Sequence, residues 1–215
     1  MNEKSIVVLH GLHQTIKLIE PMLAETLPDV RVFHMVDQFL SWQPDYVGEF
    51  TAENSHRLYL LLKAAELTGA DAILMVTSTP CLYADPFKSA ISIPVIGILD
   101  AVVARVAMMD VGKVGLFSTA PASSDTTLEL LRRYGAKMEI EQIICREAIE
   151  ALRLGNQQLH DSLVIENAAH LRDFELIVLT QLSSNPLAQA FGEACGCPIL
   201  LPSELCMEDL AKRFK

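Results

Sequence analysis

Two apolar segments in opposite halves of the chain end in the same way, and this repetition constrains the fold more than any other feature. Residues 72–80 read AILMVTSTP and are followed by Cys81; residues 176–186 read LIVLTQLSSNP. Each is a run of strand length that turns polar and then meets a proline suited to the first turn of a helix. Strand-like and helix-like patterns alternate through all 215 residues. Strands are expected near 5–10, 30–36, 72–78, 94–98, 113–117, 138–144, 175–180 and 198–200. Helices are expected near 14–25, 52–68, 83–91, 100–109, 124–134, 146–154, 157–171, 186–194 and 203–213. Residues 39–48, which carry Trp42, read as a loop, and Gly69 and Gly135 close the helices before them.

Alternation of this kind implies an α/β fold with mainly parallel sheets. Two matching strand endings imply two pseudo-symmetric, Rossmann-like α/β halves facing one cleft, because ligands bind outside the carboxyl ends of parallel strands. The halves are drawn as 1–103 and 104–215, with the last helix, 203–215, available to pack back onto the first half. Apolar residues make up 51 % of the chain. Strands buried on both faces account for that without a membrane, since the most apolar stretch is broken by Pro94, Gly97, Asp100 and Arg105.

The net charge is −10 and no basic run is present, which argues against a nucleic-acid partner. Five irregularly spaced cysteines do not form a disulfide framework and fit a reducing, cytoplasmic setting. Cys195-Gly-Cys197 is a poor match to zinc-ligand spacing, so no metal site is assigned. Neither a phosphate loop, a dinucleotide fingerprint nor a Gly-x-Ser-x-Gly elbow occurs, so no cofactor is assigned and a conventional serine hydrolase is disfavoured.

The candidate site residues gather at strand ends. Ser78 and Thr79, Thr119, and Ser183 with Ser184 place hydroxyls before helix starts, where free backbone N–H groups favour a carboxylate. Gln181 stands among them. Any single hydroxyl taken alone reads first as an ordinary helix cap, and it is their repeated placement at strand ends that points to a site. His10 ends the first strand and is placed to donate to a carboxylate or move a proton, with a structural histidine as the equal alternative. His160-Asp161 reads either way.

Several short stretches, in this order and spacing, carry a resemblance: Val8-Leu-His10, Val36-Asp37-Gln-Phe-Leu40, the run 69–74 (GADAIL), the run 93–100 (IPVIGILD), the run 114–119 (VGLFST), the run 154–161 (LGNQQLHD) and the run 178–183 (VLTQLS). Together the chain resembles the aspartate/glutamate/hydantoin racemase superfamily. The resemblance implies a cofactor-independent isomerase that moves an α-proton of a small carboxylate in the interdomain cleft. Two-cysteine members place a thiol after each key strand, one on each face of the substrate carbon. Here the first such position aligns with Ser78 and the second with Gln181, and neither is a thiol. Cys81, expected in the first turn of a helix opened by Pro80 where the helix dipole would lower its pKa, is the stand-in, with a small buried apolar residue on the helix underside as the alternative. The alternatives are a decarboxylase or cis–trans isomerase on the same scaffold, or a carboxylate-binding member without chemistry. A small-molecule carboxylate is the expected partner, and a homo-oligomer is compatible with everything above.

Overall fold

A computed structural model of the protein describes residues 4–214. Its first sheet contains β1 (Ser5–His10), β2 (Arg31–Val36), β3 (Ala72–Met75) and β4 (Val95–Gly97), in the order β2-β1-β3-β4. Its second contains β5 (Lys113–Ser118), β6 (Glu139–Ile144), β7 (Leu176–Leu179) and β8 (Ile199–Leu200), in the order β6-β5-β7-β8. Every pairing is parallel. The central strands are apolar because both faces are covered: Ile6, Val7, Val8, Ile73 and Leu74 are fully buried. The α/β architecture of two equivalent parallel sheets is thus as expected.

Helices α1 (Ile16–Thr26), α2 (Phe39–Val47), α3 (Ala52–Glu66), α4 (Asp85–Lys88) and α5 (Asp100–Ala107) flank the first sheet. Those of the second half are α6 (Pro121–Arg133), α7 (Arg146–Arg153), α8 (Gln157–Ala168), α9 (Ala188–Cys195) and α10 (Pro202–Arg213). Helix α3 starts at a capping box, in which the Thr51 hydroxyl accepts from Asn54 N at 3.3 Å and Asn54 Oδ1 accepts from Thr51 N at 3.1 Å. Helix α10 packs on α1 and α5, with Cys206, Met207 and Leu210 joining the core of the first half.

Four expectations are corrected. Residues 39–48 are not a loop but α2, ended by Gly48 at φ +90°. Pro44 lies inside it and removes one helical N–H, yet Leu40, Ser41 and Pro44 share the buried face, so docking outweighs the lost bond. The strand expected over 72–78 stops at Met75, and the helix expected over 83–91 is a 3-10 segment, Thr79–Tyr83, followed by the single-turn α4. The helix expected from 186 is preceded by a second 3-10 segment, Leu182–Leu187.

In each sheet the chain moves outward from the first strand to the second, then returns to add the third on the other side. The carboxyl ends of β1 and β3, and of β5 and β7, therefore diverge at a switch point, where α/β sheets bind ligands.

Candidate functional site

The two switch points face one another and share a cleft of about 390 Å³. Leu9 pairs with Met75 in the first sheet, and Phe117 with Leu179 in the second. Counting two residues past each third strand, Thr77 occupies the place in the first half that Gln181 occupies in the second. The hydrogen bonds repeat the equivalence. Gly11 N, just past β1, donates to Thr77 Oγ1, and Thr119 N, just past β5, donates to Gln181 Oε1 at 2.6 Å. A Cβ on Gly11 would lie 2.7 Å from Thr77 Cγ2 and 2.8 Å from Ser41 Cβ, so only glycine admits this approach. The pair facing across the cleft is therefore Thr77 with Gln181, one residue before the Ser78 position suggested by sequence matching.

Of the expected residues, Ser78, Thr79, Gln181 and Ser183 line the cleft, together with Thr15, Ser41 and Thr77. Gln181 Oε1 is held by Thr119 N, by Thr119 Oγ1 at 2.9 Å and by Ala120 N at 3.2 Å. Saturating the oxygen in this way leaves the amide Nε2 as the free donor. Ser183 is 6 % exposed, and its hydroxyl has no partner among the described residues. Ser78 Oγ lies 2.5 Å from Ser123 Oγ, which lies 3.2 Å from Thr180 Oγ1, so a buried hydroxyl chain joins the two halves beneath the cleft. Thr126 Oγ1 adds a bond to the Thr79 carbonyl at 3.1 Å.

Thr119 is fully buried and acts one bond behind the wall, through Gln181. Ser184 is not in the wall; it is buried, and its N–H closes the 3-10 turn on the Gln181 carbonyl at 3.2 Å. His10 also stands one bond behind, with Nδ1 2.7 Å from Thr15 Oγ1 and Nε2 2.8 Å from His34 Nδ1. Burial and the neighbouring His34 lower its pKa to about 4, so its imidazole is neutral at neutral pH. His160 is fully buried away from the cleft in α8, 2.8 Å from Asp161 Oδ1.

Cys81 does not take the expected place. It is 2 % exposed and its thiol donates to the Thr77 carbonyl at 3.4 Å. Its sulfur sits where a Cβ on Gly97 would come within 3.0 Å, under the sheet rather than in the cleft. Burial first, and the Asp100 carboxylate second, push the thiol up to about 12. The segment Thr79–Tyr83 is a short 3-10 turn with Cys81 buried, so no helix dipole acts to lower its pKa. Cys195 and Cys197 are buried in the core of the second half.

The sequence reading missed Thr15 and Ser41. Thr15 lies in the 3-10 turn His13–Thr15 and Ser41 in α2, the segment taken for a loop. Thr77 lies next to Ser78 and Thr79 at the same strand end, but its place opposite Gln181 follows only from the register.

Asp45 of α2 secures this wall across the halves. Its carboxylate meets Arg153 Nη2 at 2.7 Å and accepts from Ala122 N, in the first turn of α6, at 3.1 Å. Burial raises its pKa while Arg153 opposes that shift.

A family model described as Asp/Glu/Hydantoin racemase matches residues 18–210. No curated protein sequence matches. Among solved structures, a glutamate racemase from Francisella tularensis subsp. tularensis SCHU S4, in complex with D-glutamate, is similar with a TM-score of 0.79 at 14 % identity, over 100 % of this chain and 81 % of that one. An aspartate racemase homologue from Pyrococcus horikoshii OT3 gives 0.69 at 19 %, over 98 % of both chains. A glutamate racemase from Thermus thermophilus, in complex with beta-chloro-D-alanine, gives 0.73 at 21 %, over 99 % and 80 %. These structures share the fold, and the match over residues 18–210 makes the chain a member of the Asp/Glu/hydantoin racemase family of cofactor-independent isomerases.

Proposed function

We propose that the protein isomerises a small carboxylate in the interdomain cleft by proton transfer, without a cofactor. The observation that carries this reading is the cleft wall itself. It offers neutral donors and no carboxylate: the unpartnered Ser183 hydroxyl, the Gln181 amide and the Thr77 hydroxyl, whose oxygen already accepts from Gly11 N. In a chain of net charge −10, an anionic ligand needs such local donors. The proton-handling group nearest the ligand is the Thr15 hydroxyl, backed by neutral His10 at 2.7 Å. With the Thr15 proton on the Leu12 carbonyl, His10 donates to Thr15 Oγ1 from Nδ1, so the pair is arranged to resupply a proton that the hydroxyl gives to the substrate, and the reverse sequence removes one.

One observation favours a second reading. No thiol, carboxylate or imidazole lines the cleft, and the wall opposite Thr15 has no titratable group at all. Racemisation by two bases needs one on each face of the carbon, whereas decarboxylation of a malonate-like substrate needs a single proton returned after carbon dioxide leaves.

Proton NMR in D₂O with both enantiomers of aspartate and glutamate, hydantoins, small malonates and maleate separates the readings. Loss of an α-proton signal, abolished in His10→Gln, is the expected result. Carbon dioxide release without α-exchange selects the decarboxylase. Neither exchange nor product across the panel, with a carboxylate still raising the melting temperature, removes the isomerase reading and leaves a binding protein. Gln181→Ala and Ser183→Ala are each expected to weaken the responding carboxylate about tenfold, the loss of one hydrogen bond to a charged group.

A further inference from the structure

We propose that Thr15, His10, His34 and Glu20 form a proton relay linking the cleft to solvent, with Thr15 as its inner end and Glu20 as its outer end. The proposal rests on the isomerase reading only for its purpose; the relay itself stands on geometry.

The four groups come from three adjacent elements. Thr15 lies at the start of α1 and lines the cleft, His10 ends β1, His34 is on the neighbouring edge strand β2, and Glu20 is on α1. Parallel pairing of β1 with β2 sets Val8 beside His34, which brings the ring of His34 to that of His10. The distances are 2.7 Å from Thr15 Oγ1 to His10 Nδ1, 2.8 Å from His10 Nε2 to His34 Nδ1, and 3.5 Å from His34 Nε2 to Glu20 Oε1. From His10 outward, exposure rises. His10 is 2 % exposed, and the side chains of His34 and Glu20 are 17 % and 57 % exposed.

The tautomers follow from counting protons. A threonine hydroxyl has one proton, and that of Thr15 goes to the Leu12 carbonyl at 2.6 Å. Thr15 Oγ1 must therefore accept from His10, so His10 carries its proton on Nδ1. A neutral His10 then accepts at Nε2, so His34 donates from Nδ1. Both imidazole donors in the resting array point toward Thr15, which is the order needed to deliver a proton inward. When the Thr15 hydroxyl turns to the ligand and gives up its proton, it takes the Nδ1 proton of His10. His10 takes the Nδ1 proton of His34 at Nε2, and His34 is reprotonated at Nε2 from solvent beside Glu20. One proton enters, one is delivered, and each imidazole ends neutral in its other tautomer. The reverse sequence exports a proton. Among the described residues, the titratable groups that act on the relay are those within it: His10 from β1, His34 from β2 and Glu20 from α1. The Glu20 carboxylate favours the protonated state of His34, opposing its burial.

The test is solvent exchange of the His10 ring N–H in the full chain labelled with ¹⁵N-histidine, measured by saturation transfer from water. Long-range ¹⁵N shifts should place the His10 proton on Nδ1. In His34→Asn, the amide can still donate to His10 Nε2 but cannot pass a proton on. Exchange at His10 should slow at least tenfold with the tautomer unchanged. Glu20→Gln, at an exposed position that leaves the fold intact, should slow it at least twofold and decides the matter should His34→Asn fail to fold. A proton found on His10 Nε2, or exchange unaltered in the folded variants, overturns the relay. For any substrate the wild type turns over, His34→Asn should lower kcat at unchanged KM and shift the pH profile, which a purely structural histidine would not do. Absence of turnover in the wild type counts against the isomerase reading alone, because the exchange measurement needs no substrate.

Discussion

At the scale of single residues, a side chain's chemistry is set by which side of the sheet it faces. Cys81 and Thr77 are four positions apart after the same strand. Thr77 borders the cleft, while Cys81 enters the core with its thiol pushed up to about 12. At pH 8 that leaves a thiolate fraction of about 10⁻⁴. Iodoacetamide should therefore leave Cys81 unmodified in the native protein and label it in urea, as mass spectrometry of the tryptic peptide can show. Cys81→Ala should lower stability by about 1–2 kcal/mol without changing carboxylate binding. His10 gives the opposite linkage to a salt-bridged histidine. Its folded pKa, about 4, lies below the unfolded value of 6.5, so the unfolded chain binds more protons between those limits. Stability is fully present above pH 6.5 and is lost as pH falls toward 4, by about 3 kcal/mol if the whole shift is expressed. Urea melts of wild type and His10→Gln across this range should show the excess acid sensitivity only in the wild type.

At the scale of elements, α2 decides whether the cleft has a complete wall. It supplies Ser41 to the lining and is tied to the other half through Asp45. The Asp45 and Arg153 side chains are 5 % and 14 % exposed, and Arg153 Nε has no partner among the described residues. Arg153 keeps a second partner, Glu150 Oε1 at 2.9 Å from Nη1, so losing Asp45 leaves its charge partly paired. Asp45→Ala should destabilise by about 1–3 kcal/mol, less than a stranded buried charge would cost, and the double variant Asp45→Leu/Arg153→Met should recover most of it, measured by chemical denaturation. The sequence concealed this element. Pro44 and a single tryptophan suggested an irregular segment, and the helix exists because Leu40, Ser41 and Pro44 find a surface to dock on.

At the scale of the whole molecule, the halves are symmetric in topology but not independent. The larger core cluster runs from Ile6 and Leu74 in the first sheet to Leu116 and Val178 in the second, and takes in Leu210 of α10. A helix made last in the chain thus completes the core of the half made first. Thermal unfolding should be one transition with matching calorimetric and van't Hoff enthalpies, and two separated transitions in calorimetry would contradict this. The strand–helix alternation and the twin strand endings determined the two parallel sheets, because period and apolar run length are local properties that a linear pattern records, while the family showed only as a resemblance in the order of several short stretches. The same pattern marked Ser78, Thr79, Gln181 and Ser183 as residues near a strand end. It did not determine which of them face each other, that Thr77 stands opposite Gln181, that Cys81 turns inward, or that His34 meets His10. Those depend on strand register and on the one-residue difference between the two faces of a turn, and only packing of the halves against each other fixes them.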